Sequence, residues 1–189
     1  MRIAVIGGGM SGLFAARALA KKNWKVTLFE PDASAAGLSA DEAFEEWHRP
    51  GVAQIRQPHS IRAFARNLLQ ARDPELLQAI MASGAIEWNF AVPVGEKADP
   101  ADKGDLISIL GRRTTYEAAV RESVEKTPGV ELVRSYVKDV IIDTSGPHPR
   151  VTGLRTDEGQ EFHFDQIVDA SGRRSAAPQW LEKAGLGRP

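Results

Sequence analysis

Residues 2–30 read RIAVIGGGMSGLFAARALAKKNWKVTLFE, and the folding of this stretch decides the rest of the chain. Arg2–Ile6 is an apolar run of strand length, Gly7–Gly12 a glycine-rich turn, and Ser11–Lys22 sets Leu13, Ala16, Leu19 and Ala20 at helical spacing. Lys25–Glu30 alternates as a second strand. Asn23 stands where the helix needs a left-handed terminator, which Asn tolerates better than most side chains. The stretch is therefore a strand–turn–helix–strand unit, and connections of that kind are right-handed with parallel strands.

"GGGMSG" places Gly7, Gly9 and Gly12 in the G-x-G-x-x-G spacing, after a strand and at the opening of a helix. The first glycine permits the tight turn, the second lets a pyrophosphate approach the backbone, and the third lets helix and strand pack closely. Met10 and Ser11 open the helix, whose free N–H groups and positive dipole end suit phosphate. Glu30 closes the second strand 18 residues after Gly12, where a carboxylate can accept from ribose hydroxyls and disfavours a 2′-phosphate. The pattern predicts dinucleotide binding and leaves NAD and FAD both open.

Beyond Glu30 the chain departs on a long excursion, residues 31–103, before returning. Helices are expected over Ile61–Arg72 and over Pro74–Ser83, the second capped by Asp73 with Pro74 at its first position. Gly95–Gly104 reads as a polar loop. In "TTYEAAVRESVEK", Thr114 stands three residues before Glu117, the spacing of a capping box, and the helix it opens runs to Pro128–Gly129. Val130–Ser135, Val137–Asp143, Arg150–Thr156, Gln160–Phe164 and Gln166–Asp169 read as strands: one parallel strand, a small antiparallel meander and a return strand. The expected fold class is α/β, a Rossmann-like FAD/NAD(P)-binding domain with a parallel sheet and a small β-meander, spanning 1–189 as one domain.

The composition narrows the function. With 24 Lys+Arg against 25 Asp+Glu the net charge is −1, so no global field draws the chain to nucleic acid or an anionic membrane, and a small-molecule partner is expected. There is no cysteine, which excludes thiolate metal sites, cysteine nucleophiles and dithiol redox centres; redox chemistry would rest on a cofactor. No apolar run reaches membrane-spanning length and no secretory leader opens the chain, so a cytoplasmic location is expected.

Arg2–Glu30 resembles the N-terminal signature of the flavoproteins that include aromatic hydroxylases, epoxidases and flavin-dependent halogenases, down to Ala16 and Leu19. "GRRTTYEAAVR" resembles the segment where an Arg precedes a helix in those enzymes, "IVDASGRRSAAPQWL" the strand and turn that return to the cofactor, and "RPGVAQIRQPH" a flavin-approaching loop of a bacterial branch. The resemblance implies non-covalently bound FAD, with NAD(P)H as a transient reductant. It also assigns residues: Arg113, with Arg112 as alternate, to the pyrophosphate; the backbone of Val137 to the adenine; Ala170 and Gly172 to the cofactor from the last strand; Arg56, Gln57 and His59 toward the flavin ring. Forked guanidinium donors suit pyrophosphate because they pair with two oxygens.

In that group a substrate-covering sheet and a second Gly-Asp motif follow, whereas only 17 residues follow Gly172 here. The expectation is the N-terminal part of a flavin-dependent monooxygenase acting on a small organic substrate. It would be completed by a second polypeptide or homodimer, or stand alone without activity. The alternatives are a non-catalytic FAD- or NAD-binding module and one half of a split flavoenzyme. No catalytic residue is assigned and no metal is expected: Glu45 and His48 give one Glu-x-x-His pair where a di-iron site needs two. His59 is expected to anchor its loop by a hydrogen bond, His148 and His163 to lie on the surface, and Trp47, Trp88 and Trp180 to pack in the interior.

Overall fold

The computed structural model describes residues 1–35, 37–91 and 106–187, which divide into two compact units: Met1–Ala33 with Val124–Pro189, and Ser34–Ser123.

In the first unit, β1 (Arg2–Ile6), β2 (Lys25–Phe29), β6 (Val130–Val133) and β10 (Gln166–Asp169) form one parallel sheet in the order β10-β1-β2-β6. Ile3, Ala4 and Val5 of the inner strand β1 are wholly buried, which explains why this strand is an unbroken apolar run. Parallel pairing of β1 with β2 needs a crossover, supplied by helix α1 (Met10–Ala20), which buries Leu13, Ala16 and Ala20. Asn23 ends that crossover at φ +61°, the left-handed conformation expected of it. The meander β7 (Val137–Asp143), β8 (Arg150–Thr156) and β9 (Glu161–His163) is antiparallel throughout. Val137, Leu154 and Phe164 pack with Ala4, Ile6, Phe29 and Trp180 in one core cluster. Phe29 meets Phe162 edge-on at 5.2 Å. Each large apolar side chain buried this way contributes ~1.5–3 kcal/mol. A helix absent from the sequence reading, α6 (Ala177–Lys183), follows β10 and carries Trp180, whose indole N–H donates to the Lys138 carbonyl at 3.1 Å.

The second unit has an antiparallel sheet in the order β3-β5-β4, made of β3 (Pro58–Ile61), β4 (Ile86–Asn89) and β5 (Ile107–Arg112). Around it stand α2 (Ala40–Glu46), α3 (Ala63–Arg72), α4 (Pro74–Ala82) and α5 (Arg113–Glu125), the last belonging to this unit up to Ser123. The helix expected from Ile61 starts two residues later, because Ile61 is claimed by pairing with Ile109 of β5. Asp73 caps α4 as expected, accepting from the Leu76 N–H at 3.3 Å. The capping box expected at Thr114 and Glu117 does not form. Helix α5 starts one residue before Thr114, whose hydroxyl is buried without a hydrogen-bond partner among the described residues, while the Glu117 carboxylate is drawn to two arginines. The capping box of this unit is instead at α2, where Ser39 Oγ accepts from the Glu42 N–H at 3.2 Å and Glu42 Oε2 accepts from the Ser39 N–H at 2.8 Å. The polar stretch Gly95–Gly104 lies outside the described residues.

Candidate dinucleotide site

The first unit brings the carboxyl ends of β1, β2 and β6 side by side: the Gly7 N–H donates to Phe29 O at 2.9 Å and the Glu30 N–H to Val133 O at 3.0 Å. Ligands of open parallel sheets bind at such an edge. Each motif glycine has a distinct reason to be there. Gly7 sits at φ +97°, and a Cβ on it would lie 2.7 Å from Ala170 O, so both conformation and space demand glycine. A Cβ on Gly12 would stand 1.8 Å from Gly7 O, the closest approach of helix to turn. A Cβ on Gly9 meets nothing within 4 Å. Gly9 is the N-cap of α1, makes no side-chain cap, and is followed by a first turn without an acidic residue. The start of this helix, with Met10 and Ser11 in its first turn, thus has neither a side-chain cap nor an acidic residue to take up its N–H groups, the local arrangement that suits an anion.

Glu30 is 5% exposed, and its carboxylate grips the turn: Oε2 accepts from the Gly8 N–H at 2.6 Å and Oε1 from the Asp32 N–H at 2.9 Å. Gly8 is a residue the motif reading passed over. A Cβ there would come within 2.7 Å of Glu30 Cγ, so the middle glycine of "GGG" makes room for the acid. The third consecutive glycine was the available signal.

Ala170 follows β10 and donates its N–H to Ile6 O at 2.8 Å, which places it against the glycine turn. Gly172, at φ +81° with open space where a Cβ would stand, begins a single 3₁₀ turn (Gly172–Arg174). That turn is held by Asp169, whose Oδ1 accepts from the Ser171 N–H at 2.9 Å and from the Ser171 hydroxyl at 2.6 Å, and whose Oδ2 accepts from the Ser175 hydroxyl. Val137 is buried by its side chain in the core cluster, so only its backbone could serve a ligand.

A family model described as "Glucose inhibited division protein A" matches residues 2–185. The chain belongs to that family. L-aspartate oxidase of Pyrococcus furiosus is 25% identical over 183 residues, covering 91% of this chain and 37% of the relative. Zeaxanthin epoxidase of Oryza sativa is 26% identical over 189 residues, covering 90% of this chain and 25% of the relative. This member of the family therefore spans well under half the length of those curated relatives. Among solved structures, PqsL of Pseudomonas aeruginosa, described as a probable FAD-dependent monooxygenase, superposes with a TM-score of 0.66 at 15% identity over 97% of this chain and 45% of that one. THI4 of Thermovibrio ammonificans gives 0.62 at 21% over 97% and 62%. The fold is thus the Rossmann-like α/β fold that the sequence implied.

The other residues singled out lie in the second unit. Arg113 is 8% exposed; its Nε donates to Glu117 Oε2 at 2.7 Å, and its Nη1 lies 3.3 Å from His59 Nε2. Glu117 is fully buried and also accepts from Arg49 Nη1 at 2.5 Å, while the Arg49 guanidinium lies over the Trp47 ring at 5.2 Å. No local pattern could announce Arg49, because its partner is 68 residues away. The buried Tyr116 hydroxyl donates to the main-chain carbonyl of His59, which lies in strand β3, and the imidazole expected to anchor a loop meets Arg113 instead. Burial pushes the Tyr116 phenol up to about 12. Burial, then the Arg113 charge, holds the His59 imidazole below its ordinary range. Arg56 is exposed and donates to the Glu45 carbonyl at 2.8 Å, at the end of α2; Gln57 is exposed, and its carbonyl accepts from the Arg113 N–H at 3.2 Å. Arg112 pairs with Asp41 at 2.6 Å and lies over Phe44.

Among the described residues no group of three or more His, Asp or Glu is placed to hold a metal, and Glu45, His48, His148 and His163 are all exposed. Trp47 and Trp180 are buried, as expected, whereas Trp88 is half-buried. No helix among the described residues is long and apolar enough to cross a membrane.

Proposed function

We propose that this chain binds FAD without a covalent link and forms the N-terminal part of an FAD-dependent oxidoreductase of the monooxygenase type. The observation that carries the reading is the contrast between Gly9 and its neighbours: Gly7, Gly8 and Gly12 are required by the protein's own packing, and Gly9 alone of the four faces open space. The N–H groups at the start of α1 hold the pyrophosphate above Gly9, and Glu30, fixed at the end of β2 by Gly8 and Asp32, takes the adenosine ribose. The backbone of Val137 serves the adenine, and Ala170 and Gly172 flank the cofactor, with Asp169 fixing the turn that presents Gly172. Arg113, Arg56 and Gln57 keep the roles that the resemblance gives them. Bound there, FAD would supply the redox chemistry, in which a reductant such as NAD(P)H is oxidised and one oxygen atom of O₂ enters a small organic substrate while the other leaves as water.

The relatives include an oxidase and an epoxidase, and the structural neighbour is an FAD-dependent monooxygenase by description, which supports an FAD-dependent oxidoreductase. The test is retention of FAD by the chain after desalting, compared with Gly9→Ala. Retention by the wild-type chain and loss in the variant is the expected result; a chain that retains no flavin contradicts the proposal.

A further inference from the structure

Arg113 is aimed as well as buried. A guanidinium can only donate, so with Arg113 Nη1 at 3.3 Å from His59 Nε2 the imidazole must accept there, and its own proton sits on Nδ1. Glu117 holds Nε from the other side at 2.7 Å, and the Arg113 main chain is tied to Gln57 O at 3.2 Å. Two of the three guanidinium nitrogens are thus fixed within the second unit, and the third, Nη2, has no partner among the described residues. His59 is itself held in place, by the Tyr116 hydroxyl on its carbonyl and by its register opposite Gly111 in the β3–β5 ladder.

We propose that His59 is the positioning residue of Arg113: in its neutral form it holds Nη1, so that the guanidinium presents Nη2 to an anionic group, and on protonation it lets go. This rests on the reading above, in which the anion is a phosphate of FAD. The charged and titratable groups facing the imidazole are Arg113, Glu117 and Tyr116 of α5, with Arg49 behind Glu117; Pro58 and Ser60 on its own strand and Gly111 opposite bring none. An imidazolium has no lone pair on Nε2 for Arg113 and would face it cation to cation. Burial and then Arg113 oppose that state, and Glu117 favours it.

Two measurements on the whole chain test the proposal. The first, a ¹H NMR titration of the imidazole signals, needs no cofactor; it compares wild type with Arg113→Met and uses His59→Gln for assignment. His59 is expected to titrate below an ordinary histidine and to move up in Arg113→Met; an unmoved His59 overturns the coupling. The second follows the FAD dissociation constant from about pH 8 down to about pH 5.5, the interval in which a histidine changes charge. Wild type should weaken about threefold or more on acidification, His59→Gln should stay flat because its amide oxygen accepts at every pH, and Arg113→Met should be about tenfold weaker at the alkaline end and flat. A flat wild-type profile, an unchanged fall in His59→Gln, or an affinity that rises in acid overturns the proposal. A wild-type chain that takes no FAD at any pH contradicts the cofactor reading instead, and the NMR shift then decides the His59–Arg113 coupling by itself.

Discussion

Gly8 and Glu30, 22 residues apart, are joined by a 2.6 Å hydrogen bond from a backbone N–H to a buried carboxylate oxygen. The bond makes the acid at the end of β2 part of the glycine turn, so that one side chain sets the shape of the loop. Glu30→Ala would leave the N–H groups of Gly8 and Asp32 without this acceptor. Loss of the buried bond to the Gly8 N–H alone costs ~1–3 kcal/mol, so the variant should unfold at clearly lower urea, and it should lose FAD affinity by more than the stability loss accounts for.

Gly12→Ala and Gly9→Ala should part company. The first drives a Cβ to 1.8 Å from Gly7 O and can be relieved only by prising α1 from the turn, a loss of ~3 kcal/mol or more in urea denaturation. The second finds open space at an N-cap with φ −75° and should leave the melting temperature nearly unchanged.

Glu117 carries the interior of the second unit. Its carboxylate accepts from Arg49 at 2.5 Å and from Arg113 at 2.7 Å while fully buried, so Glu117→Ala strips both guanidinium groups of this counter-charge. Removing one partner of a buried ion pair costs ~3–5 kcal/mol, and chemical denaturation should show a loss of that order. An unchanged midpoint would contradict the burial of the cluster.

Two groups set opposite pH limits. The His59 pKa is lowered by burial and then by Arg113, so its contribution is fully present above the unfolded value of ~6.5 and is lost as pH falls through the lower, folded one. Tyr116 is raised to about 12, so its contribution is present below the unfolded value of ~10 and is lost as pH rises through the folded one. Melting temperature against pH should therefore drop on both flanks. His59→Gln should flatten the acid flank and Tyr116→Phe the alkaline one.

The parts of the fold legible in the sequence are those whose cause is local. The strand–turn–helix–strand opening follows from apolar periodicity and three glycines, and Asn23 does adopt φ +61°. The meander was legible because turn residues separate its strands. Strands β3 and β4 were not, since Pro58–Ile61 and Ile86–Asn89 are strands only through pairing with β5, which lies far along the chain from β3. The same pairing took Ile61 from the helix that its spacing suggested. Glu117 shows the limit most clearly: its distance from Thr114 fits a capping box, but a fully buried carboxylate beside two arginines is better satisfied by them than by a helix end. In the candidate site, the motif glycines and Glu30 were legible, whereas Gly8 and the hold of Asp169 on Ser171 and Ser175 appear only once the chain is folded; in the second unit the same is true of Arg49.

The most direct test of the central claim is the visible absorption spectrum of the purified chain after incubation with FAD and desalting, recorded beside Gly9→Ala at matched folded fraction. A flavin band retained by wild type and lost in Gly9→Ala is the predicted result, because only the ligand uses the space above Gly9. A band equally strong in both, or absent from both, would contradict a pyrophosphate site at this turn.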